Sequence, residues 1–321
     1  MSAEASSAPG GLRSRPWWPL ASRLLTGAVC LIVLGLVWMQ ARQMDWGAVL
    51  KAIGDYDAST LAVAAACSVA SYVTYSSFDA IGVRQLQVPV AWQRAAGIGF
   101  VSYAFNLNLG SLIGGVAMRV RLYAQAGAGL DRTTQVLALS LITNWLGHVF
   151  VGGLAFVLAP IALPPAWHLS STGLRLVGIG MLLPAMLYVL ACSFSPRREW
   201  RWRGHVLRLP SARFALLQLA VSSANWLLIA AILYTVLQGR IPYPAVLSTL
   251  LIAAVAGVIV HVPAGLGVLE ATFVMLLSSR MPAAELLAAL LAYRALYYLL
   301  PLAVAGAVFF VLDRRGRPRP V

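Results

Sequence analysis

Long apolar runs separated by arginine-rich connections limit this chain more than any other feature. A helix needs about 20 apolar residues to cross the hydrocarbon core of a bilayer. Full spans on that criterion fall near 22–40, 59–82, 133–159, 174–194, 214–237 and 287–312, with two further apolar stretches near 95–118 and 244–280. Of all residues 60% are apolar and only 11% charged, against roughly 25% charged in a soluble domain. A water-soluble globule is therefore excluded. The 27 glycines and 17 prolines are scattered through the apolar stretches, which excludes disorder for the whole chain. Arg13, Arg15 and Arg23 precede the first run in signal-sequence order, but no small-x-small cleavage pattern follows, so that run is expected to be a retained span.

The net charge of +14 is explained by where the basic residues sit. Eighteen of the 24 lie in the N-terminal tail, segments 83–94 and 119–132, the 195–213 loop and the C-terminal tail. Such connections stay in the cytoplasm, so the excess is a topology signal, and the termini are expected on that side. Nucleic-acid binding is not expected, because no motif for it accompanies the arginines. Arginine interleaved with tryptophan, as in Arg201-Trp202-Arg203, suits the membrane interface. Trp46, Val49, Leu50 and Ile53 follow helical spacing, which predicts an interfacial helix after the first span.

Parity then constrains the two remaining stretches. Arg84 and Arg94 precede 95–118, whereas Arg119, Arg121 and Arg132 follow it on the same side, so that stretch enters and returns. Its middle carries Asn106, Asn108, Gly110, Gly114 and Gly115, where freed backbone groups need protein or cavity water. The same reasoning makes 244–280 a hairpin from the opposite face, broken around His261, Pro263, Gly265 and Gly267. The predicted fold is all-α: a polytopic helical membrane protein with about six full spans plus two oppositely oriented re-entrant hairpins in an inverted repeat. Its halves are 22–159 and 174–312, between basic tails 1–21 and 313–321. Gly114 precedes Arg119 as Gly265 precedes Glu270, and polar Asn144 and Arg294 recur further on. Inverted repeats with broken helices place transporter sites near the midplane.

Glu270 and Arg294 stand out, because a charge at a helix centre costs about 2.5–3.5 kcal/mol on insertion scales. They either pair with each other or face a hydrated cavity. Arg119 is expected near headgroup level, attracting phosphate with Arg121, with Asp79 as a counter-ion. Asn106, Asn108, Asn144 and Asn225 suit hydrogen bonds between helices. His148 and His261 read as core histidines, since no second ligand lies at metal spacing. Cys30, Cys67 and Cys192 are isolated and read as ordinary buried residues. Neither metal nor cofactor is expected. No nucleophile with its base or carboxylate pair is visible, so the chain is not expected to be an enzyme, and an intramembrane enzyme ranks third among the function classes.

Ser102-Tyr-Ala-Phe-Asn-Leu-Asn-Leu-Gly110, Gly114-Gly115-Val-Ala-Met-Arg119, Asn144-Trp-Leu-Gly147, His261-Val-Pro-Ala-Gly-Leu-Gly-Val-Leu-Glu270 and Ala292-Tyr-Arg294 resemble the lysylphosphatidylglycerol synthase transmembrane family. The resemblance spans about 20–312 and points to the stand-alone YbhN-like inner-membrane branch. It implies a flippase-like domain in a bacterial inner membrane, without the separate synthase domain that makes the lipid in two-part members. The family's hairpin motifs fall on Gly114, Gly115, Arg119, Pro263, Gly265, Gly267 and Glu270, and its last-span arginine on Arg294. Where many members have an acidic residue followed by arginine, this chain has Asn144-Trp145.

The expected function is movement of a phospholipid, anionic or aminoacylated, between leaflets. Arg119, Glu270, Arg294, Asn106, Asn144 and His261 are its candidate contacts, while Gly110, Gly114, Gly115, Pro263, Gly265 and Gly267 shape the hairpins. The alternative is a non-transporting scaffold for a lipid-synthesis enzyme, docked through the 195–213 loop.

Overall fold

Six helices among the described residues are long and apolar enough to cross a membrane. The computed structural model describes residues 46–196, 199–202, 205–260, 265 and 267–315. The expected first span at 22–40, both basic tails beyond 315 and before 46, Cys30, His261 and Pro263 lie outside the described residues. Element order is α1 (Trp46–Gly54), α2 (Ala58–Gln85), α3 (Trp92–Leu109), a π-helical turn (Ser111–Ala117), α4 (Met118–Gln125), α5 (Leu130–Leu158) and α6 (Ser171–Phe194). It continues with α7 (Ala212–Val236), α8 (Tyr243–Val260), α9 (Val268–Leu277), α10 (Ala283–Arg294), a second π-helical turn (Ala295–Leu299) and α11 (Leu300–Arg315). Five of the expected spans appear as α2, α5, α6, α7 and the continuous α10–α11 unit, and the helical spacing around Trp46 appears as α1. The 195–213 loop carries a two-stranded hairpin, β1 (Glu199–Trp202) antiparallel to β2 (His205–Arg208), with Glu199 opposite Arg208 and Trp202 opposite His205.

Local chemistry sets several helix starts. Ser170 and Ser211 hold the extended backbone before α6 and α7, and their hydroxyls accept from the amides of Gly173 (3.1 Å) and Phe214 (3.3 Å). These caps satisfy donors that a helix start leaves open. At the far end, α2 and α7 stop alike: Leu86 and Leu237 are followed by Gln87 and Gln238 in the left-handed region, at φ 50° and 53°. Proline then precedes the next helix in both places, at Pro89 and Pro242.

Contacts at the helix ends fix the direction of each element. At one end Arg132 bonds the Leu86 carbonyl, Arg94 bonds that of Gln125, and Arg121 and Gln125 both reach Asp313 near the end of α11. At the other end the Tyr56 hydroxyl donates to the Val236 carbonyl, and Arg240 pairs with Glu285. Burial and the neighbouring Asp55 carboxylate push the Tyr56 phenol above its ordinary value, so it remains a donor. The arginine-rich connections 83–94 and 119–132 therefore share one end with the last turn of α11, as the charge pattern requires.

Both apolar stretches of uncertain course are hairpins. In the first, α3 runs inward, the chain turns at Gly110 (φ 84°), and α4 comes back beside the start of α3. The return arm crosses so tightly that a Cβ on Gly114 would stand 2.1 Å from the Asn106 nitrogen, and one on Gly115 3.1 Å from the Asn106 amide oxygen. Only glycine lets backbones meet at that distance. The second hairpin, α8 and α9, has its base at the Arg240–Glu285 end and turns through Gly265 (φ 58°) and Gly267 (φ 78°). The hairpins therefore open from opposite ends of the bundle.

The outermost described span is α6, which packs on α5 and α7 and turns Leu176, Leu183, Leu187 and Leu190 outward. Its inner face is set by Gly153 and Gly178, where a Cβ on either would fall 2.8 Å from the other's carbonyl oxygen. Replacing Gly114 with alanine is expected to cost about 3 kcal/mol, the upper range of ordinary overpacking, because the obstruction is backbone. Gly180→Ala, whose Cβ would meet nothing within 4 Å, is the control. Thermal unfolding in detergent should show a lowered midpoint for the first variant and an unchanged one for the second.

Candidate functional site

The two halves meet along α2 and α7 through a repeated motif. Ser68-Val-Ala-Ser71-Tyr72 on α2 matches Ser222-Ser-Ala-Asn225-Trp226 on α7. Ser71 and Asn225, 154 residues apart, hydrogen-bond each other at 2.7 Å in the buried seam. Their neighbours do the same work in opposite directions. From the first half, Ser68 and Tyr72 donate to the carbonyls of Leu296 (3.2 Å) and Tyr297 (3.0 Å). From the second, Ser222 and Trp226 donate to the Asn144 carbonyl at 3.1 and 3.0 Å. Each half thus grips the third helix of the other, and the inverted repeat has an axis at Ser71–Asn225.

The α10–α11 unit is loosened where it is gripped. Residues 295–299 form a π-helical turn, which displaces carbonyls from their regular partners and is frequent at functional sites. Three successive carbonyls there receive outside donors: Leu296 from Ser68, Tyr297 from Tyr72, and Tyr298 from the Asn108 amide (3.2 Å). Asn108 lies near the tip of the first hairpin, so that tip is tied to the last span one turn beyond Arg294.

Arg294 sits immediately before this turn and reaches the second hairpin. Its Nη2 donates to Glu270 Oε2 at 3.0 Å and to the Gly265 carbonyl at 3.2 Å, while Nε donates to Glu270 Oε1. Glu270 in turn accepts from the Gly267 amide at 3.0 Å, covering the start of α9. One guanidinium therefore holds the broken backbone and the carboxylate that caps it. Of the two fates open to these charges, mutual pairing is the one the geometry shows.

The first half contains a second pair, more deeply enclosed. Arg119 forks onto Asp79, with Nε 3.1 Å from Oδ2 and Nη2 3.0 Å from Oδ1, and Nη1 reaches the Gly115 carbonyl at 3.3 Å. Tyr123 donates to Asp79 at 3.1 Å, Arg119 Nη2 reaches Ser140 at 3.4 Å, and the guanidinium lies 5.9 Å from the Tyr75 ring centroid. The exposures separate the two pairs: 2% and 0% for Arg119 and Asp79, against 5% and 20% for Arg294 and Glu270. Asp79 is the counter-ion expected for Arg119, and the pair is enclosed by protein. Arg121, expected to attract phosphate with Arg119, is bonded to Asp313 at 2.9 Å.

The remaining candidates divide between these places. Asn106 lies beneath Gly115 at the first hairpin crossing, and Asn144 lies on α5 where Ser222 and Trp226 converge. Neither is brought against Glu270 or Arg294 by a described hydrogen bond. His148 is buried between Trp145 and Trp226, ring centroids 5.0 and 4.8 Å away, and no group of three metal-binding side chains exists among the described residues. A cleft of about 190 Å³ opens at the Arg240–Glu285 end, lined by Asp55, Gln238, Met281 and Ala289. Tyr72, Tyr103, Tyr293 and Tyr297, which surround the seam, were not expected as site residues, and the Ser-x-Ala-Ser-Tyr and Ser-x-Ala-Asn-Trp echo was the signal available for part of that cluster.

Breaking one partner of a buried ion pair costs about 3–5 kcal/mol, because the other charge is left uncompensated. Asp79→Asn is expected to destabilise the chain in that range. The double variant Asp79→Asn with Arg119→Met should recover most of the loss, as read by thermal unfolding in detergent.

A family model described as lysylphosphatidylglycerol synthase TM region matches residues 27–305. The inner membrane protein YbhN of Escherichia coli is 38% identical over 306 residues, 95% of this chain and 96% of that protein. Uncharacterized protein slr0712 of Synechocystis is 30% identical over 313 residues, covering 94% and 96%. A phosphatidylglycerol lysyltransferase of Staphylococcus haemolyticus is 24% identical over 250 residues, 74% of this chain but 28% of that protein. Its multi-pass helical bundle, its paired hairpin motifs and this match over most of its length together make the chain a member of the lysylphosphatidylglycerol synthase transmembrane-region family.

Proposed function

We propose that the chain moves a phospholipid, anionic or aminoacylated, between the leaflets of a bacterial inner membrane, with both termini cytoplasmic. The observation that carries this reading is the Glu270–Arg294 pair: two opposite charges beside a broken helix, with the carboxylate 20% exposed. A phosphate can compete for Arg294, and an ammonium group can compete for Glu270. The first exchange releases the Gly265 carbonyl that Arg294 now holds and the second the Gly267 amide that Glu270 now holds, so headgroup binding acts directly on the hairpin. The lipid tails stay in the bilayer along the outward apolar faces, and no covalent step is needed.

Two further observations support it. Opposed hairpins joined by an inverted repeat are a recurrent transporter plan, with the site where broken helices meet. The staphylococcal relative, of which the match covers 28%, is named a phosphatidylglycerol lysyltransferase. The arginine-rich end, including the β1–β2 hairpin, faces the cytoplasm on this reading, where the 195–213 loop offers a docking surface for a lipid-synthesis enzyme.

Leaflet-resolved movement of several fluorescent phospholipids in proteoliposomes tests the proposal. Glu270→Gln and Arg294→Ala are each expected to slow the preferred lipid about tenfold, a barrier change of ~1.4 kcal/mol, with folding checked by thermal unfolding. Movement of no lipid by folded chain, or both variants working at the unaltered rate, overturns it.

A further inference from the structure

A column of aromatic rings joins the two buried ion pairs, and this column carries an inference that rests on the transport reading but has its own test. From the second hairpin, the Arg294 guanidinium lies 5.2 Å from the Tyr298 ring centroid, and Tyr298 meets Tyr297 edge-on at 6.0 Å. Tyr293 stacks on Tyr297 at 5.5 Å. The Tyr297 hydroxyl stands 2.9 Å from that of Tyr103, on the first hairpin. Tyr103 stacks on Tyr75 at 3.6 Å, and Tyr75 faces the guanidinium of Arg119. The path from Glu270 to Asp79 is continuous, and its hydroxyl junction joins the first hairpin to the last span.

That junction meets the axis between the halves. Ser71 Oγ lies 2.7 Å from Asn225 Oδ1 and 2.7 Å from the Tyr297 hydroxyl. The Tyr297 hydroxyl thus contacts the axis on one side and Tyr103 on the other, while its backbone belongs to the π-helical turn next to Arg294. A shift of Arg294 moves this turn and cannot leave the Tyr103 bond unchanged.

We propose that Tyr297 is the positioning residue that couples the two hairpins, so that release of the Glu270–Arg294 pair is transmitted to the tip of the first hairpin. Its ring fills the seam, and its hydroxyl sets the register between the first hairpin and the last span, which holds the second hairpin through Arg294. An ordinary core tyrosine would contribute to stability without making one hairpin respond to the other.

The coupling is read by labelling, without reference to lipid movement. In full-length chain in lipid vesicles, with Cys30, Cys67 and Cys192 changed to alanine, a Leu112→Cys reporter is placed at the first hairpin tip, where Leu112 is 78% exposed. Maleimide labelling is timed with and without Glu270→Gln, in chains carrying either Tyr297 or the Tyr297→Phe substitution. With Tyr297, Glu270→Gln is expected to change the rate about fivefold, the lower edge of typical coupling between sites. With Tyr297→Phe that response should disappear. A response of equal size in both chains, or none in either, overturns the inference. Tyr103→Phe removes the same hydroxyl contact from the other side and decides the matter if Tyr297→Phe does not fold. Chain that moves lipid yet labels without coupling overturns this inference alone, whereas coupled chain that moves no lipid overturns only the transport reading.

Discussion

Backbone groups released inside hydrocarbon must find partners in protein, since lipid provides none. This requirement organises the whole seam. The second hairpin is broken around Gly265 and Gly267, and the last span is loosened at 295–299; each break frees groups that a straight helix would satisfy internally. Arg294 answers for the Gly265 carbonyl, Glu270 for the Gly267 amide, and Ser68, Tyr72 and Asn108 for the carbonyls of Leu296, Tyr297 and Tyr298. Because those three donors come from the first half, the break in the second half is sustained only when the halves are docked.

The reverse dependence is weaker but present. Asn144 remains within a regular α-helix, yet its carbonyl takes both Ser222 and Trp226, and the Gly147 amide donates to Ser222 at 2.9 Å. Gly147 has no side chain because Ser222 occupies its place: a Cβ there would lie 2.0 Å from the serine hydroxyl. Neither half therefore has a complete polar complement alone. Small residues with short hydroxyls suit such a seam, for they allow close approach and still donate across it.

Much of this was legible in the sequence, for identifiable reasons. Hydropathy marks spans because a spanning helix must be apolar over its whole length, and arginine marks sides because short basic loops are held back. Parity then made hairpins of 95–118 and 244–280, and Gly110, Gly265 and Gly267 located their turns. Glu270 and Arg294 were conspicuous as opposite charges inside apolar runs. Asp79 was legible as the partner of Arg119, whereas the enclosure of that pair by Tyr123 and Ser140 was not, because it arises only when α4 and α5 pack together. The Ser71–Asn225 axis escaped notice because serine, asparagine and tyrosine in a span resemble routine packing residues, and only their contacts in three dimensions set the two motifs against one another. The chain path through 295–299 likewise has no local signature, because the π-helical turn is held open by donors from distant helices.

The two ion pairs satisfy the same requirement in different ways, and the difference bears on what they are for. Buried ion pairs are inefficient as adhesive, since desolvation consumes much of their attraction and apolar side chains of similar volume often hold as well. Enclosure of Asp79 and Arg119 by Tyr123, Ser140 and the Gly115 carbonyl leaves little opportunity for exchange with another ion, which fits a pair that fixes the first hairpin. Glu270 and Arg294 are less enclosed, close a break in the backbone, and adjoin a turn already displaced from helical geometry. A competing headgroup there would replace one set of charge contacts by another instead of stripping a charge bare. On the proposed reading, the first pair anchors and the second exchanges, and the same inverted architecture supports both because one half carries Asn144 in its last span where the other carries Arg294.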